Sequence, residues 1–473
     1  MEAGTEAFIS YAGTLGSKPG LANIQNLMGE LSDIQEKIPV IQIVGTNGKG
    51  SVGAMLAETL KRAGYRTGHY SSPAVFCEEE RYRINGEQIS TDRYEALLTE
   101  LSEVCGRMTK RGLPHPTLFE IETALAFLYF YRAHCQVVIM EAGMGGTLDA
   151  TNVVSHPLLC IVTSVSMDHM AFLGNTLSEI ARQKAGIIRP HTLVASTYQK
   201  PEVHRILQEV CREKHAILFD PMRWEEGHTA ALDSDGSVIL SWGQVQNVRL
   251  SLKGSFQYEN AVCVLQACQA LRSAGYEIED ETIRQALMHT SWPGRFEVVS
   301  KDPLIVMDGA HNEDAAGKLA GTVRSCFTNR RIIGIMGVFR DKEHEKILAH
   351  LLPLLEKLYT VTAPGERGLS GELLCREAQK LHGDCVYAGS IREGLERAIR
   401  DAKEEAEMNA ENGADRNARN DTIPDGQDDA MILIFGSLSF LGEVKRILAE
   451  SHLQPARSSL CAPVKTDRQF AEK

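Results

Sequence analysis

Val40-Ile41-Gln42-Ile43-Val44-Gly45-Thr46-Asn47-Gly48-Lys49-Gly50-Ser51 carries a β-branched apolar run straight into a glycine-rich turn. The run reads as a buried strand, and Val52 to Ala63 reads as the helix after it, ending at Gly64. Glycines let the backbone fold tightly enough for several N–H groups to converge on phosphate oxygens. The helix behind them presents its positive end, Lys49 a mobile cation and Ser51 a hydroxyl suited to Mg²⁺. The spacing departs from the standard Gly-x-x-x-x-Gly-Lys-Ser loop. Ile43 stands where the first glycine belongs, and Gly50 separates Lys49 from Ser51. A plain glycine-rich turn is the alternative, but strand, loop, lysine, hydroxyl and helix in this order predict a nucleotide site formed by Asn47, Gly48, Lys49, Gly50 and Ser51.

Outward from this loop the same rhythm continues. Val137 to Met140 and Leu158 to Val162 read as strands; Thr117-Leu118-Phe119-Glu120 and Thr176-Leu177-Ser178-Glu179 are capping boxes that open helices running to Tyr131 and toward Lys184. After about Val298 the alternation restarts, with strands at Leu304 to Met307, Ile332 to Met336, Leu358 to Thr362 and Met431 to Phe435. The fold class is therefore α/β: a parallel-sheet, phosphate-loop domain over residues 1–298 and a smaller, Rossmann-like α/β domain over 299–451. A charged, Asn- and Asp-rich stretch over 404–429 reads as a disordered insertion, and 452–473 as a tail.

The bulk numbers narrow the function. A length of 473 residues implies more than one core. A net charge of -12, with lysine and arginine dispersed, argues against nucleic acid or an anionic membrane as partner. No apolar run spans a bilayer and no secretory signal opens the chain. Eleven cysteines without a Cys-x-x-Cys pair read as reduced thiols of a cytoplasmic protein.

The variant loop resembles that of the folylpolyglutamate synthase and dihydrofolate synthase family, within the Mur-ligase-like superfamily. Further stretches follow in that family's order: Ser71-Ser72-Pro73, Glu141-Ala142-Gly143-Met144-Gly145-Gly146, Leu148-Asp149-Ala150-Thr151-Asn152, Asp168-His169, Lys184-Ala185-Gly186-Ile187, Pro293-Gly294-Arg295-Phe296-Glu297, Asp308-Gly309-Ala310-His311-Asn312 and Phe435-Gly436-Ser437-Leu438. The likeness runs from about 40 to 450 and leaves 404–429 outside it. Two departures stand out: Ala74 where the family usually has His, and Thr147 where it often has Arg.

The resemblance implies an ATP- and Mg²⁺-dependent ligase that joins L-glutamate to a folate-type carboxylate through an acyl phosphate. It would act as a monomer on dihydropteroate, reduced folates or both. Glu141, ending a buried strand, is the natural metal ligand at a sheet's carboxyl edge. Ser72 and His169 match metal-binding positions of the family, and Lys184 matches a lysine that is typically carbamylated there. Lys49, Lys184 and His169 are thus the expected catalytic set. Asn260, Arg295, Asp308 and His311 would contact the nucleotide between the domains. From the residues alone Asn260 reads equally as a helix cap, Arg295 as a hinge salt bridge and Asp308-Gly309 as a turn. By resemblance Phe119, Glu120, Glu122, Leu148, Asp149 and Ala150 would wall the acceptor pocket, with Phe119 as readily core. Two rivals remain at this stage: a Mur-type ligase for a peptidoglycan nucleotide precursor, and a phosphate-loop NTPase regulator.

Overall fold

A computed structural model describes residues 3–221, 228–327, 330–381, 383–412 and 430–450. The opening apolar run is strand β1 (Val40–Val44), buried at every position and lodged at the centre of an eight-stranded sheet. The sheet continues with β2 (Thr67–Tyr70), β3 (Tyr82–Ile84), β4 (Glu87–Gln88), β5 (Val137–Glu141), β6 (Leu159–Val162), β7 (Leu193–Ser196) and β8 (Ile217–Phe219). The spatial order is β4-β3-β2-β5-β1-β6-β7-β8, parallel throughout except for β3 and β4 at one edge. Alternate side chains of the central strands enter opposite cores. Val40, Val138 and Met140 join one cluster, and Ile41, Ile43 and Ile139 the other. A strand covered by helices on both faces has no polar side, which is why β5 is apolar as far as Met140 and β1 is broken only by Gln42, whose buried amide donates to Thr151 O at 2.7 Å.

A three-stranded antiparallel sheet that sequence reading did not anticipate follows: β9 (His228–Leu232), β10 (Val238–Trp242) and β11 (Val245–Arg249), ordered β11-β10-β9. The second large sheet holds β12 (Glu297–Lys301), β13 (Leu304–Met307), β14 (Ile332–Met336), β15 (Lys357–Thr360), β16 (Cys385–Tyr387) and β17 (Met431–Phe435). Its order is β12-β13-β17-β14-β15-β16, with only β12 antiparallel. Strand β12 opens two residues ahead of the expected boundary at 298/299, because Glu297 already pairs with Met307. Along β17, Met431, Leu433 and Phe435 face one core and Ile432 and Ile434 the other.

Both capping boxes form: Thr117 with Glu120, and Thr176 with Glu179. The expected insertion is corrected at its start, since the helix Ile391–Asn412 runs through 404–412. A charged, apolar-poor sequence can still propagate a helix begun on a buried face, here Ile391, Leu395 and Ala398. Residues 413–429 and the tail 452–473 lie outside the described residues. Among the described residues no helix is long and apolar enough to cross a membrane, and no two cysteines are joined in a disulfide.

Candidate functional site

The phosphate loop is held by its neighbours on both sides. Gly45 turns with φ 155°, and a Cβ there would stand 1.8 Å from Thr163 Oγ1. Gly48 takes the left-handed conformation (φ 92°) at the N-cap of the helix Lys49–Arg62. That helix begins three residues earlier than its apolar pattern suggested, so the N–H groups of Lys49, Gly50 and Ser51 sit in a first turn with no carbonyls behind them. Thr163 Oγ1 donates to the carbonyl of Asn47 at 2.7 Å, and Thr46 N donates to Ser164 O at 2.8 Å.

Two lysines converge on one carbonyl. Lys49 Nζ lies 3.3 Å from Gly45 O, and Lys184 Nζ donates to the same oxygen at 2.9 Å. Lys184 is 3% exposed; burial, aided by the charge of Lys49, brings its ammonium down to about 7. Glu141, at the end of β5, is 5% exposed, with Lys49 Nζ at 4.0 Å. Burial pushes its carboxyl up to about 7 against the pull of Lys49 and Arg295. A buried carboxylate so poorly compensated has room, electrostatically, for a divalent cation.

Across this floor lies the second sheet. Asn47 Nδ2 donates to Asn312 Oδ1 at 3.2 Å and to Asp314 Oδ2 at 2.9 Å, and Asn312 Nδ2 donates to Asp168 Oδ2 at 3.1 Å. Lys342 closes the bridge with an ammonium 2.8 Å from Asp168 Oδ1, both side chains under 10% exposed. Burial would raise Asp168, but Lys342, His169 and His311 outweigh it and hold the carboxyl well below the usual range. His169 and His311 are each lowered to about 4, first by burial and then by the surrounding lysines, so both imidazoles are neutral at pH 7.

Two adjoining clefts open between the sheets. One, of about 540 Å³, is lined by Gly45, Thr46, Asn47, Lys49, Ser72, His169, Lys184, Arg295 and His311. The other, of about 450 Å³, is lined by Gly50, Ser72, Glu141, Trp292 and Arg295 among others. Ser72 and Arg295 belong to both. Ser72 Oγ accepts from Arg81 Nη1 at 3.2 Å.

The remaining expected residues sit behind these walls. Ser51 is 2% exposed and accepts from Gln257 at 3.3 Å; Asn260 donates to the same Gln257 at 2.8 Å and fills the space beside Gly48. Asp308 accepts from the backbone N–H groups of Phe296 and Ala310, both at 2.8 Å. Glu120 is taken up by its capping box, accepting from Thr117 N and Oγ1. Asp149 accepts from Met144 N, Thr151 N and Thr151 Oγ1, which fixes the turn around it. Glu122 pairs with Arg81 at 3.5 Å, Ala150 is core, Phe119 lies against Gly143, and Leu148 is exposed. None of these six acceptor-wall residues lines either cleft. Glu120 accepts both of its bonds on Oε2, and Asp149 spreads three over its two oxygens.

Sequence reasoning missed Lys342, Asn312, Asp314 and Trp292 as cleft or bridging residues, and gave Asp168 no role. Lys342 stands in a run of alternating charges, Arg340-Asp341-Lys342-Glu343, that nothing distinguishes from a solvated face. The Thr147 departure has a local use. Its N–H and hydroxyl both donate to Gln183 O at 2.9 Å, fastening the glycine loop to the helix of Lys184.

Comparison with known proteins agrees with this architecture. The chain matches the Mur ligase middle domain over residues 43–268 and the Mur ligase glutamate ligase domain over 294–408. It is 36% identical over 347 residues to the dihydrofolate synthase/folylpolyglutamate synthase of Bacillus subtilis, covering 71% of this chain and 79% of the relative. The Escherichia coli enzyme of the same description is 32% identical over 371 residues, covering 78% and 84%. Mycobacterium tuberculosis folylpolyglutamate synthase, solved with ADP and AMPPCP, superposes with a TM-score of 0.80 at 28% identity, covering 94% and 98% of the two chains. E. coli FolC in complex with DHPP and ADP gives 0.78 at 28% identity, covering 95% and 98%.

Proposed function

The chain belongs to the folylpolyglutamate synthase/dihydrofolate synthase family of Mur-type ligases, and on that premise we propose that it adds L-glutamate to a folate-type carboxylate in the clefts between its two sheets. It is an ATP-dependent, ADP-forming ligase. One observation carries the assignment to this place: Lys49, Lys184, Glu141, His169 and Arg295, contributed by separate segments, all border one pair of clefts at the strand ends.

The chemistry follows from the charges. A carboxylate oxygen attacks the γ-phosphorus of ATP, forming an acyl phosphate and releasing ADP. The amine of glutamate then attacks the acyl carbon, loses a proton, and expels inorganic phosphate as the amide forms. Phosphoryl transfer leaves the protein mainly positioning and charge neutralisation to do. In this reading Lys49 and the free N–H groups of the helix start neutralise the γ-phosphoryl. Arg295, on the connection between the two sheets and bordering both clefts, faces the same charge from the other side. Ser72, Glu141 and His169 would hold Mg²⁺, which when bound compensates phosphate charge. The neutral imidazole of His169 and the undercompensated Glu141 suit that task. Ser51 has a buried hydroxyl that must turn from Gln257 to take part.

Carbamylation of Lys184 is part of the reading. Its amine, brought to about 7, is substantially unprotonated at neutral pH and can add CO₂ with loss of a proton. The resulting anion would lie beside Lys49. Lys184→Ala should lose activity that depends on bicarbonate; full activity in that variant would remove the carbamate. We assign residues up to the Trp292–Phe296 linker to the ATP-binding domain and the rest to the ligase domain, supported by the separate sheets. We place the protein in the cytoplasm, a setting supported by the lack of a disulfide between cysteines among the described residues.

The test is glutamate-dependent ADP release by the purified protein, offered dihydropteroate and tetrahydrofolate separately, with products weighed by mass spectrometry. Addition of 1 glutamate equivalent or more to either acceptor (about 129 Da each by mass conservation) supports the reading. ATP binding without addition to either would return the peptidoglycan-precursor rival.

A further inference from the structure

The glycine that makes this phosphate loop irregular has a specific neighbour. A Cβ at Gly50 would stand 2.6 Å from Trp292 Nε1 and 3.0 Å from Trp292 Cε2. Gly53, one turn further along the same helix face, meets a second ring: a Cβ there would lie 2.6 Å from His69 Nε2. The two rings touch each other, with centroids 5.3 Å apart at 34°. Arg83 also lies over Trp292, its guanidinium carbon 5.6 Å from the ring centroid. Glycine at two positions of one helix lowers its intrinsic stability relative to alanine. The pair instead forms a groove that admits an aromatic stack from β2 and from the connection between the sheets.

Trp292 begins that connection, three residues before Arg295, which lines both clefts. The helix it packs on begins with Lys49. A displacement of Trp292 therefore shifts Arg295, carried by that connection, relative to Lys49 at the start of the helix, two cations that line the same cleft. We propose that Trp292 is a positioning residue for the ligation reaction, and that Gly50 is the socket through which the linker is registered on the nucleotide loop. The inference rests on the nucleotide reading of that loop given above.

A mutant cycle tests it, read by calorimetric titration of Mg²⁺ plus AMPPCP into the full chain, alongside steady-state ATP kinetics and thermal melting. Gly50→Ala should weaken analogue binding about tenfold, and Trp292→Ala should lower kcat more than it raises KM for ATP. The double variant should bind the analogue at least about threefold more tightly than Gly50→Ala alone, because removing the indole relieves the clash. Trp292→Phe, which keeps a ring in the groove, should recover most of the turnover lost in Trp292→Ala. Additive effects in the cycle, or coupling seen in melting temperature but not in nucleotide affinity, would overturn the proposal. A wild-type chain that fails to bind the analogue would instead overturn the nucleotide reading itself.

Discussion

Glu141 and Asp308 occupy equivalent places in the two large sheets. Each follows a buried apolar strand, β5 or β13, each is about 5% exposed, and burial raises both carboxyls against the pull of Arg295. They differ in what they hold. Asp308 accepts two backbone N–H groups and so ties the turn after β13, at Ala310, to the entry of β12, at Phe296. Glu141 faces a cleft, with a single backbone N–H, that of Ser72, and an ammonium 4.0 Å away as its partners. One strand end builds backbone; the other leaves a charge looking for a cation. Strand position alone does not distinguish a structural carboxylate from a binding one, whereas its hydrogen-bond saturation does.

The sharpest way to break this contrast is to remove the cation beside Glu141. Lys49→Ala should lower kcat by about 10²–10³-fold, measured as glutamate-dependent ADP release, with the circular dichroism spectrum unchanged. Near-normal turnover would detach the loop from the chemistry. Glu141→Gln should lower activity by about 10²-fold at any Mg²⁺ concentration.

The same variant has an opposite effect on stability. Glu141 titrates near 7 in the fold and 4.5 when unfolded, so the native state binds the extra proton between those values. Its stability therefore falls as pH rises through that window. Without Mg²⁺, Glu141→Gln should melt higher than wild type above pH 7, by at most a few kcal/mol, and show no advantage below pH 4.5. A variant less stable at pH 8 would mean that Glu141 is already compensated. Asp308→Ala should behave conversely, losing roughly 1–3 kcal/mol in chemical denaturation at all pH values as buried N–H groups lose their acceptor. The smallest effect belongs to Glu120→Ala, which should cost about 1 kcal/mol through its capping box and leave kcat/KM within about twofold of wild type.

The contrast also explains what was legible in the sequence. Strands β1, β5, β13, β14 and β17 announce themselves because burial on both faces demands runs that are apolar at almost every position. The capping boxes and the glycine loop are local chemistry and read directly. Strands β9 to β11 escape because alternation is weak in short hairpin strands such as Val245-Gln246-Asn247-Val248-Arg249. The acceptor wall was inferred from resemblance, and Glu120 and Asp149 turn out to serve backbone within five residues of themselves. Lys342 and Asn312 meet Asp168 across the gap between sheets, a distance in sequence of 144 residues or more, although Asn312 Oδ1 also caps its own helix by accepting from Ala315 N. No local pattern encodes such a meeting.

The central claim is that these clefts activate a carboxylate by phosphorylation. The most direct measurement uses an acceptor labelled with ¹⁸O in its terminal carboxylate and follows the label by mass during glutamate addition. The account predicts that one labelled oxygen leaves in inorganic phosphate for each amide formed. Amide formation with unlabelled phosphate would contradict it.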